Sequence, residues 1–486
     1  MVKNIGQKFV MLLALSFIVI SIYAVYQPYG ATWDEHVYTH EARYIASGGD
    51  HGLMETLRPL GLPVVLSSLG ATDIESARIV VSVISAIMFL AFFKALQTIG
   101  MDPIKATGVA VITAMIPVVF EAITGVWAMP LAFFAACVSL IMYNKENWGW
   151  VILSGAAAAF AFQTRAVYGA WLVAGIILPF IEIPITKKYD EIANRLAAFS
   201  FGAAGVLILF AGLHYRLFSD LAAQQGYPRI ISIIYPMYQQ LIDTATSYVW
   251  LHDQGFLFYL KEFWYITPLF AAAPLAADAF FNRLEREHWY LLTALTIITA
   301  FLFITPRKET RYLLVIIPWV VAAAYQGVFR FVETGLSPNK TVAVASTVII
   351  FAATMFAPAY EHVALEIPWH AEEADRQALL SDLPFTENDN ILLGTPVVRS
   401  DANMTVGYYD NEYFLAQLGE QRYDGVVYDE QAFPCQANDS SCQALKNETE
   451  AELASSYNLY TRANQTTVYT AENITAENIT ALNVTE

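Results

Sequence analysis

Residues 31–49 read ATWDEHVYTHEARYIASGG. Asp34, Glu35, His36, His40, Glu41 and Arg43 crowd together there, directly after an apolar run at about 9–26. Thr32 and Glu35 have the T-x-x-E spacing of a capping box. Asp34 and Glu35 then fall in the first helical turn, where the dipole favours acids. Gly48-Gly49 stops the helix. Read this way, the stretch is a short capped amphipathic helix lying on the outer membrane surface. Capping accounts for Glu35 and Asp34, but it leaves His36, His40, Glu41 and Arg43 without a reason. His36 and His40 share a helix face, as zinc ligands would, yet the pattern is not HExxH. A divalent cation such as Mg or Mn, held by Asp34 and Glu35 with a substrate phosphate, suits the oxygen-rich pair better.

Working outward, the chain of 486 residues is 56% hydrophobic and 15% charged. Its apolar runs recur to about residue 358, which makes it an α-helical polytopic membrane protein. A hydrocarbon core of roughly 30 Å takes about 20 helical residues. Eleven spans fit: about 9–26, 74–97, 106–123, 126–143, 148–166, 169–184, 196–214, 263–281, 288–304, 312–329 and 341–358. Arg165 makes 148–184 the weakest stretch. The run at 9–26 has no small-residue cleavage motif after it and reads as a retained span. With the amino terminus inside, the inner segments hold Lys3, Lys8, Lys94, Lys105, Lys145, Lys187, Lys188, Arg195, Arg283, Arg286, Arg330 and Lys340. This is the positive-inside pattern. It places the carboxyl terminus, the loops 27–73 and 215–262, the region of Arg165 and "TPRKETR" (305–311) outside.

The net charge of −17 is not spread evenly. Residues 361–486 hold 22 of the 44 acids and 5 of the 27 bases, so residues 1–360 balance. The excess acidity argues against nucleic acid as a partner. Three domains follow: a membrane domain at 1–360, a soluble extracytoplasmic α/β domain at 361–454, and a flexible tail at 455–486. In the middle one, "NILLGTPVV" (390–398) and "YDGVVYDE" (423–430) predict strands around a short helix, "EYFLAQLGE" (412–420). Cys435 and Cys442 are close enough in sequence for a local disulfide outside the cytoplasm. Sequons start at Asn403, Asn438, Asn447, Asn464, Asn473, Asn478 and Asn483. Such motifs accept glycans only on the outer face.

The expected outer face also collects bases. "LRPLGLP" (57–63) brings Arg58, "FQTRAVYG" brings Arg165, and "TPRKETRYLLVIIP" (305–318) brings Arg307, Lys308 and Arg311. Ionisable groups at membrane depth are costly and usually mark a site. Snorkelling to lipid headgroups is the plain reading of each base alone. Bases gathered beside acids suit a substrate with both a phosphate and a lipid tail, because arginines clamp phosphate and an Asp takes a proton from a hydroxyl.

In order, "WDEHVY", "RPLGLP", "GFLFYLKEFWYITPL" (255–269) and "RKETRYLLVIIP" resemble the motifs of the C-type glycosyltransferase (GT-C) superfamily, in the group of ArnT and the protein mannosyltransferases. The resemblance covers roughly residues 1–330. The chain lacks the WWD-type motif of the oligosaccharyltransferase branch, and its 215–262 loop is shorter than that of the protein mannosyltransferases. The resemblance implies a hexosyltransferase that uses a polyprenyl- or dolichyl-phosphate sugar. It makes Asp34 the general base of an inverting transfer to a glycan, lipid-linked glycan or protein acceptor. Glu35 would orient the acceptor, bind a metal or cap the helix. Arg58, Arg165, Arg307, Lys308 and Arg311 would stabilise the leaving phosphate. His36, His40, Glu41, Tyr259, Trp264 and Tyr265 would contact sugar, acceptor or prenyl chain, although an interfacial aromatic belt accounts for the last three equally. Dense sequons and dolichol-type chemistry fit an archaeal plasma membrane. The rival classes are a transporter or flippase, which needs charged or broken helices at mid-membrane, and a membrane-anchored structural glycoprotein.

Overall fold

A computed structural model of the chain describes residues 33–49, 52, 58–186, 189–224, 228–234, 258–259, 285–304, 310–335, 390–393, 403–406, 418, 423–429, 440–463 and 466–470. The spans expected at 9–26, 263–281 and 341–358 lie outside the described residues. So does the helix expected at 412–420, apart from Leu418.

Two compact units hold the described elements. The membrane unit contains the turn at 58–62 and the helices α3 (Ile74–Thr98), α4 (Pro103–Met115), α5 (Pro117–Thr124), α6 (Ala128–Tyr143), α7 (Trp148–Thr164), α8 (Gly169–Thr186), α9 (Tyr189–Gln224), α10 (Arg286–Ile304) and α11 (Ile317–Gly335). The second unit contains α1 (Trp33–Ser47), most of α2 (Gly61–Ser68), α12 (Ser440–Ser456) and a five-stranded sheet.

Among the described residues, α3, α9 and α10 are long and apolar enough to cross a membrane. The single span expected at 106–123 is instead a bent pair, α4 and α5, meeting at 84°. The cause is Pro117. It lacks an N–H and disfavours helical backbone in the residue before it, and Ile116 is accordingly extended (φ −69°, ψ 122°). Other expected spans are present as shorter apolar helices, namely α6 and parts of α8 and α11. The run expected at 196–214 is longer than read, because "YDEIANR" extends it at the start and "RLFSDLAAQ" at the end. The run expected from 312 opens as a 3-10 turn, Thr310–Val315, before α11.

Small residues decide how these helices pack. A Cβ on Gly155 of α7 would strike the carbonyl oxygen of Phe199 in α9. A Cβ on Gly202 of α9 would strike that of Ile152 in α7. The two backbones therefore meet directly, as in membrane pairs that use small residues at their crossing. Around this crossing lies an aromatic core of Phe92, Phe133, Tyr143, Trp171, Tyr290 and Trp319, all buried. Tyr143 and Tyr290 stack at 4.2 Å, and Phe92 meets Trp319 edge-on at 5.4 Å. The Tyr290 hydroxyl donates to the Trp171 carbonyl at 2.9 Å and lies 2.8 Å from Ser139 Oγ. Ser154 Oγ donates to the Ser139 carbonyl at 2.8 Å. Tyr290→Phe removes a donor from this node and strands its acceptors, at a cost of about 1–3 kcal/mol. The expected result is a lower thermal unfolding midpoint with unchanged helix content by circular dichroism.

The second unit corrects the expectation at the carboxyl terminus. The strands are β1 (Asn390–Leu393), β2 (Asn403–Val406), β3 (Gly425–Asp429), β4 (Asn458–Ala463) and β5 (Thr466–Thr470), in the order β2-β1-β3-β5-β4. The β1 strand runs parallel to β2 and β3, while β5 runs antiparallel to β3 and β4. Residues 458–463 and 466–470, expected in a tail, are thus sheet strands. "NLYTRA" and "TTVYT" are rich in the β-branched and aromatic residues that fit a pleated surface. Leu418, Tyr423, Val426, Tyr428, Leu453 and Tyr457 make the core under this sheet. The Tyr428 hydroxyl donates to Glu450 of α12 at 2.8 Å.

Candidate active site

The acidic helix α1 begins where the sequence reading placed it. Its first turn carries Asp34 and Glu35. It ends at Gly48 and Gly49, which have φ of 76° and 107°, a backbone that glycine adopts without strain. The Gly49 N–H donates to the Tyr44 carbonyl at 2.9 Å, closing the last turn. Gly52, at φ 101°, lies against the same helix, and a Cβ there would come within 2.7 Å of the Tyr44 nitrogen.

The surroundings of α1 differ from the expectation. Every residue from Glu35 to Ala42 is buried, with 0–6% exposure. A surface helix would leave one face wet, whereas α1 is enclosed on all sides over two turns. Glu35, His36, Thr39, His40 and Glu41 are among the buried residues, and Asp34 is half-buried. Buried charge is costly unless partnered. The enclosure is therefore a tertiary decision that the helical pattern did not announce. The Thr39 hydroxyl donates back to the carbonyls of Glu35 and His36, both at 2.9 Å. The His36 and His40 rings stack, with centroids 6.2 Å apart. Among the described residues no group of three His, Cys, Asp or Glu gathers as a metal site. The two neighbouring carboxylates would need substrate oxygens to complete a shell for a hard cation.

The basic residues divide by position. Arg58 and Arg165 are both half-buried in the membrane unit. Arg165 ends α7 in an extended conformation (φ −156°, ψ 119°), and its N–H donates to the Ala161 carbonyl at 2.9 Å. A single 3-10 turn, Ala166–Tyr168, then leads into α8. The sequence reading missed a contact here. Gly61, three residues after Arg58, packs against Thr164, the residue before Arg165, so closely that a Cβ would lie within 2.6 Å of the Thr164 Cα. The "RPLG" turn is thereby seated on the end of α7, with Pro59 and Leu60 buried. Glycine in "RPLGLP" was the available signal, but its partner is about a hundred residues away in sequence. Tyr259 is buried in the main apolar core, with Phe258 edge-on at 5.1 Å.

Arg307, Lys308, Trp264, Tyr265, Cys435, Asn438, Asn464, Asn473, Asn478 and Asn483 lie outside the described residues. Arg311 sits on the 3-10 turn Thr310–Val315, and Cys442 falls within α12. Asn403 begins β2, and Asn447 is exposed on α12.

No protein-family description matches the sequence, and no curated protein matches it. Solved structures do match in fold. ArnT from Cupriavidus metallidurans bound to undecaprenyl phosphate aligns with a TM-score of 0.60 at 14% identity, over 96% of this chain and 98% of that one.

The chain has the GT-C fold.

An oligosaccharyltransferase from Archaeoglobus fulgidus shares the GT-C fold with it. In the apo form the TM-score is 0.56 at 12% identity, over 96% of this chain and 74% of that one. The complex of AglB from the same organism with an inhibitory peptide and a dolichol-phosphate aligns with a TM-score of 0.52 at 10% identity, over 95% and 74%. At these identities the fold is what is shared. The apolar helices and the GT-C likeness together mark an integral membrane protein.

Proposed function

We propose that the chain is a membrane glycosyltransferase that moves one hexose from a polyprenyl- or dolichyl-phosphate carrier to an acceptor hydroxyl, with inversion. The observation that carries this reading is the fold likeness, over nearly all of both chains, to a protein solved with undecaprenyl phosphate. In the proposed step the acceptor oxygen bonds to the sugar C1 while the bond from C1 to the phosphate oxygen breaks. Asp34 takes the acceptor proton, and the lipid phosphate leaves with the electron pair. Asp34 suits the base role better than Glu35, because it is half-exposed while Glu35 is 1% exposed, and a base must reach its proton. Arg58 and Arg165 are assigned to the leaving phosphate, together with Arg307, Lys308 and Arg311. A divalent cation, where one binds, would be held by Asp34 and Glu35 with the donor phosphate and would neutralise its charge. The charge bias and the sequons support an extracytoplasmic site in an archaeal plasma membrane, acting on a glycan, lipid-linked glycan or protein.

The test is transfer by the purified protein in nanodiscs from radiolabelled dolichyl- and undecaprenyl-phosphate sugars. Label moving onto an acceptor is expected. Folded protein that only equilibrates labelled lipid between leaflets would instead identify a flippase. Arg165→Ala is expected to raise KM for the donor about 10–100-fold, since a charge-assisted hydrogen bond contributes about 1.5–3 kcal/mol. An unchanged donor KM would return Arg165 to the role of a helix-end residue.

A further inference from the structure

One end of the membrane unit carries an ion-pair network that the proposed chemistry does not use. Glu182 is the single charged residue in α8, within the run GAWLVAGIILPFIEIPIT. Arg286, the first residue of α10, donates from Nε to Glu182 Oε1 at 2.8 Å. Its Nη2 lies 3.4 Å from Oε1 of Glu191 in the first turn of α9. An arginine at a helix amino terminus opposes the macrodipole, so local helix chemistry does not account for it. Snorkelling does not account for it either, because the Arg286 and Glu182 side chains are only 20% and 9% exposed.

The same end is tied further. The His288 ring nitrogen Nε2 lies 3.1 Å from the Ile99 carbonyl just after α3. Arg195 of α9 donates to the Tyr143 carbonyl at the end of α6 and lies over the Tyr143 ring at 5.9 Å. Tyr143 in turn stacks on Tyr290 of α10. At its other end, α8 begins four residues after Arg165.

We propose that Glu182, Arg286 and Glu191 are positioning residues: their bridge sets the axial register of α8 against α9 and α10, and so the height at which the Arg165 turn meets the donor phosphate. The phosphate half of this inference rests on the polyprenyl-phosphate reading above. Buried ion pairs add little net stability, but they can specify one register among several. That matters between apolar helices in lipid, where the hydrophobic effect does not choose a register. A slip of one turn moves a side chain about 5.4 Å, beyond hydrogen-bond reach.

Spin labels at Val173→Cys near the start of α8 and Ile304→Cys at the end of α10, both exposed positions, with Cys137→Ser and the other cysteines replaced, report the register by electron–electron distance. Arg286→Glu is expected to shift or broaden this distance and to raise donor KM about tenfold or more with little change in kcat. The swap Glu182→Arg/Arg286→Glu, made together with Glu191→Gln so that no like charge faces position 286, is expected to restore both. An unchanged distance in Arg286→Glu overturns the register role whether or not the protein has transferase activity. A shifted distance with normal donor KM overturns the link to the phosphate. Failure of the swap to rescue folded protein that retains helix content overturns the pairing itself. Absence of transfer in the wild-type protein counts against the glycosyltransferase reading, while the distance measurement still decides the clamp.

Discussion

Asp34→Asn is expected to lower the rate of sugar transfer by about 10²–10⁴-fold, the range that a positioned general base contributes. The substitution keeps the size and shape of the side chain but removes its negative charge and its ability to take a proton, and turns one acceptor oxygen into a donor. Donor binding without added divalent cation and the thermal unfolding midpoint should stay near wild type, because the side chain keeps its shape. The half-buried position of Asp34 at the head of α1 makes this separation measurable, because the residue is not part of a sealed core. Glu35→Gln provides the contrast. Glu35 is enclosed, so its substitution should register first in stability. Initial rates with saturating donor, read beside differential scanning fluorimetry, distinguish the two. Wild-type turnover in Asp34→Asn would end its assignment as the base. A rate loss matched by an equal fall in stability would make Asp34 a helix cap only.

Gly202→Leu and Gly155→Leu are expected to prevent the membrane unit from reaching its native packing. Overpacking an adaptable core costs about 1–3 kcal/mol. Here the obstacle is the backbone carbonyl of Phe199 or Ile152, which cannot turn away as a side chain can. The cost should exceed that range and appear as aggregation in size-exclusion chromatography or a collapse of the unfolding midpoint. The same helix supplies its own control. A Cβ added at Gly205 or Gly212 meets nothing within 4 Å. Gly205→Leu and Gly212→Leu should therefore behave like the wild type. Equal damage at Gly202, Gly205 and Gly212 would show that α9 needs glycine for its own conformation and not for its contact with α7.

Several elements could be read directly because they depend on neighbours within one or two turns. The start of α1 follows from acids in its first turn, and its end follows from Gly48 and Gly49. The break at Arg165 between α7 and α8 coincides with a charge in the middle of a long apolar stretch. The break at Pro117 is equally local, but the apolar run continues through it and hides it in a pattern of hydropathy. The strands β4 and β5 are hidden for the opposite reason. Their sequon-rich surroundings resemble a polar tail, while their β-branched and aromatic residues are held because β5 pairs with β3 and β4 pairs with β5.

Composition, apolar periodicity and the placing of glycine, proline and charge determined by themselves that this is a helical membrane protein with an acidic helix after its first expected span and an excess of acid in its carboxyl-terminal segment. These are short-range consequences of backbone sterics and of the preference of charge for water. The tertiary structure alone decided that α1 is buried from Glu35 to Ala42, that Gly61 sits on Thr164, that Gly155 and Gly202 are the crossing of α7 and α9, and that Glu182 pairs with Arg286. Each of these depends on surfaces brought together from distant parts of the chain. A one-dimensional pattern of polar and apolar residues states which faces need a partner, but not which distant surface becomes that partner.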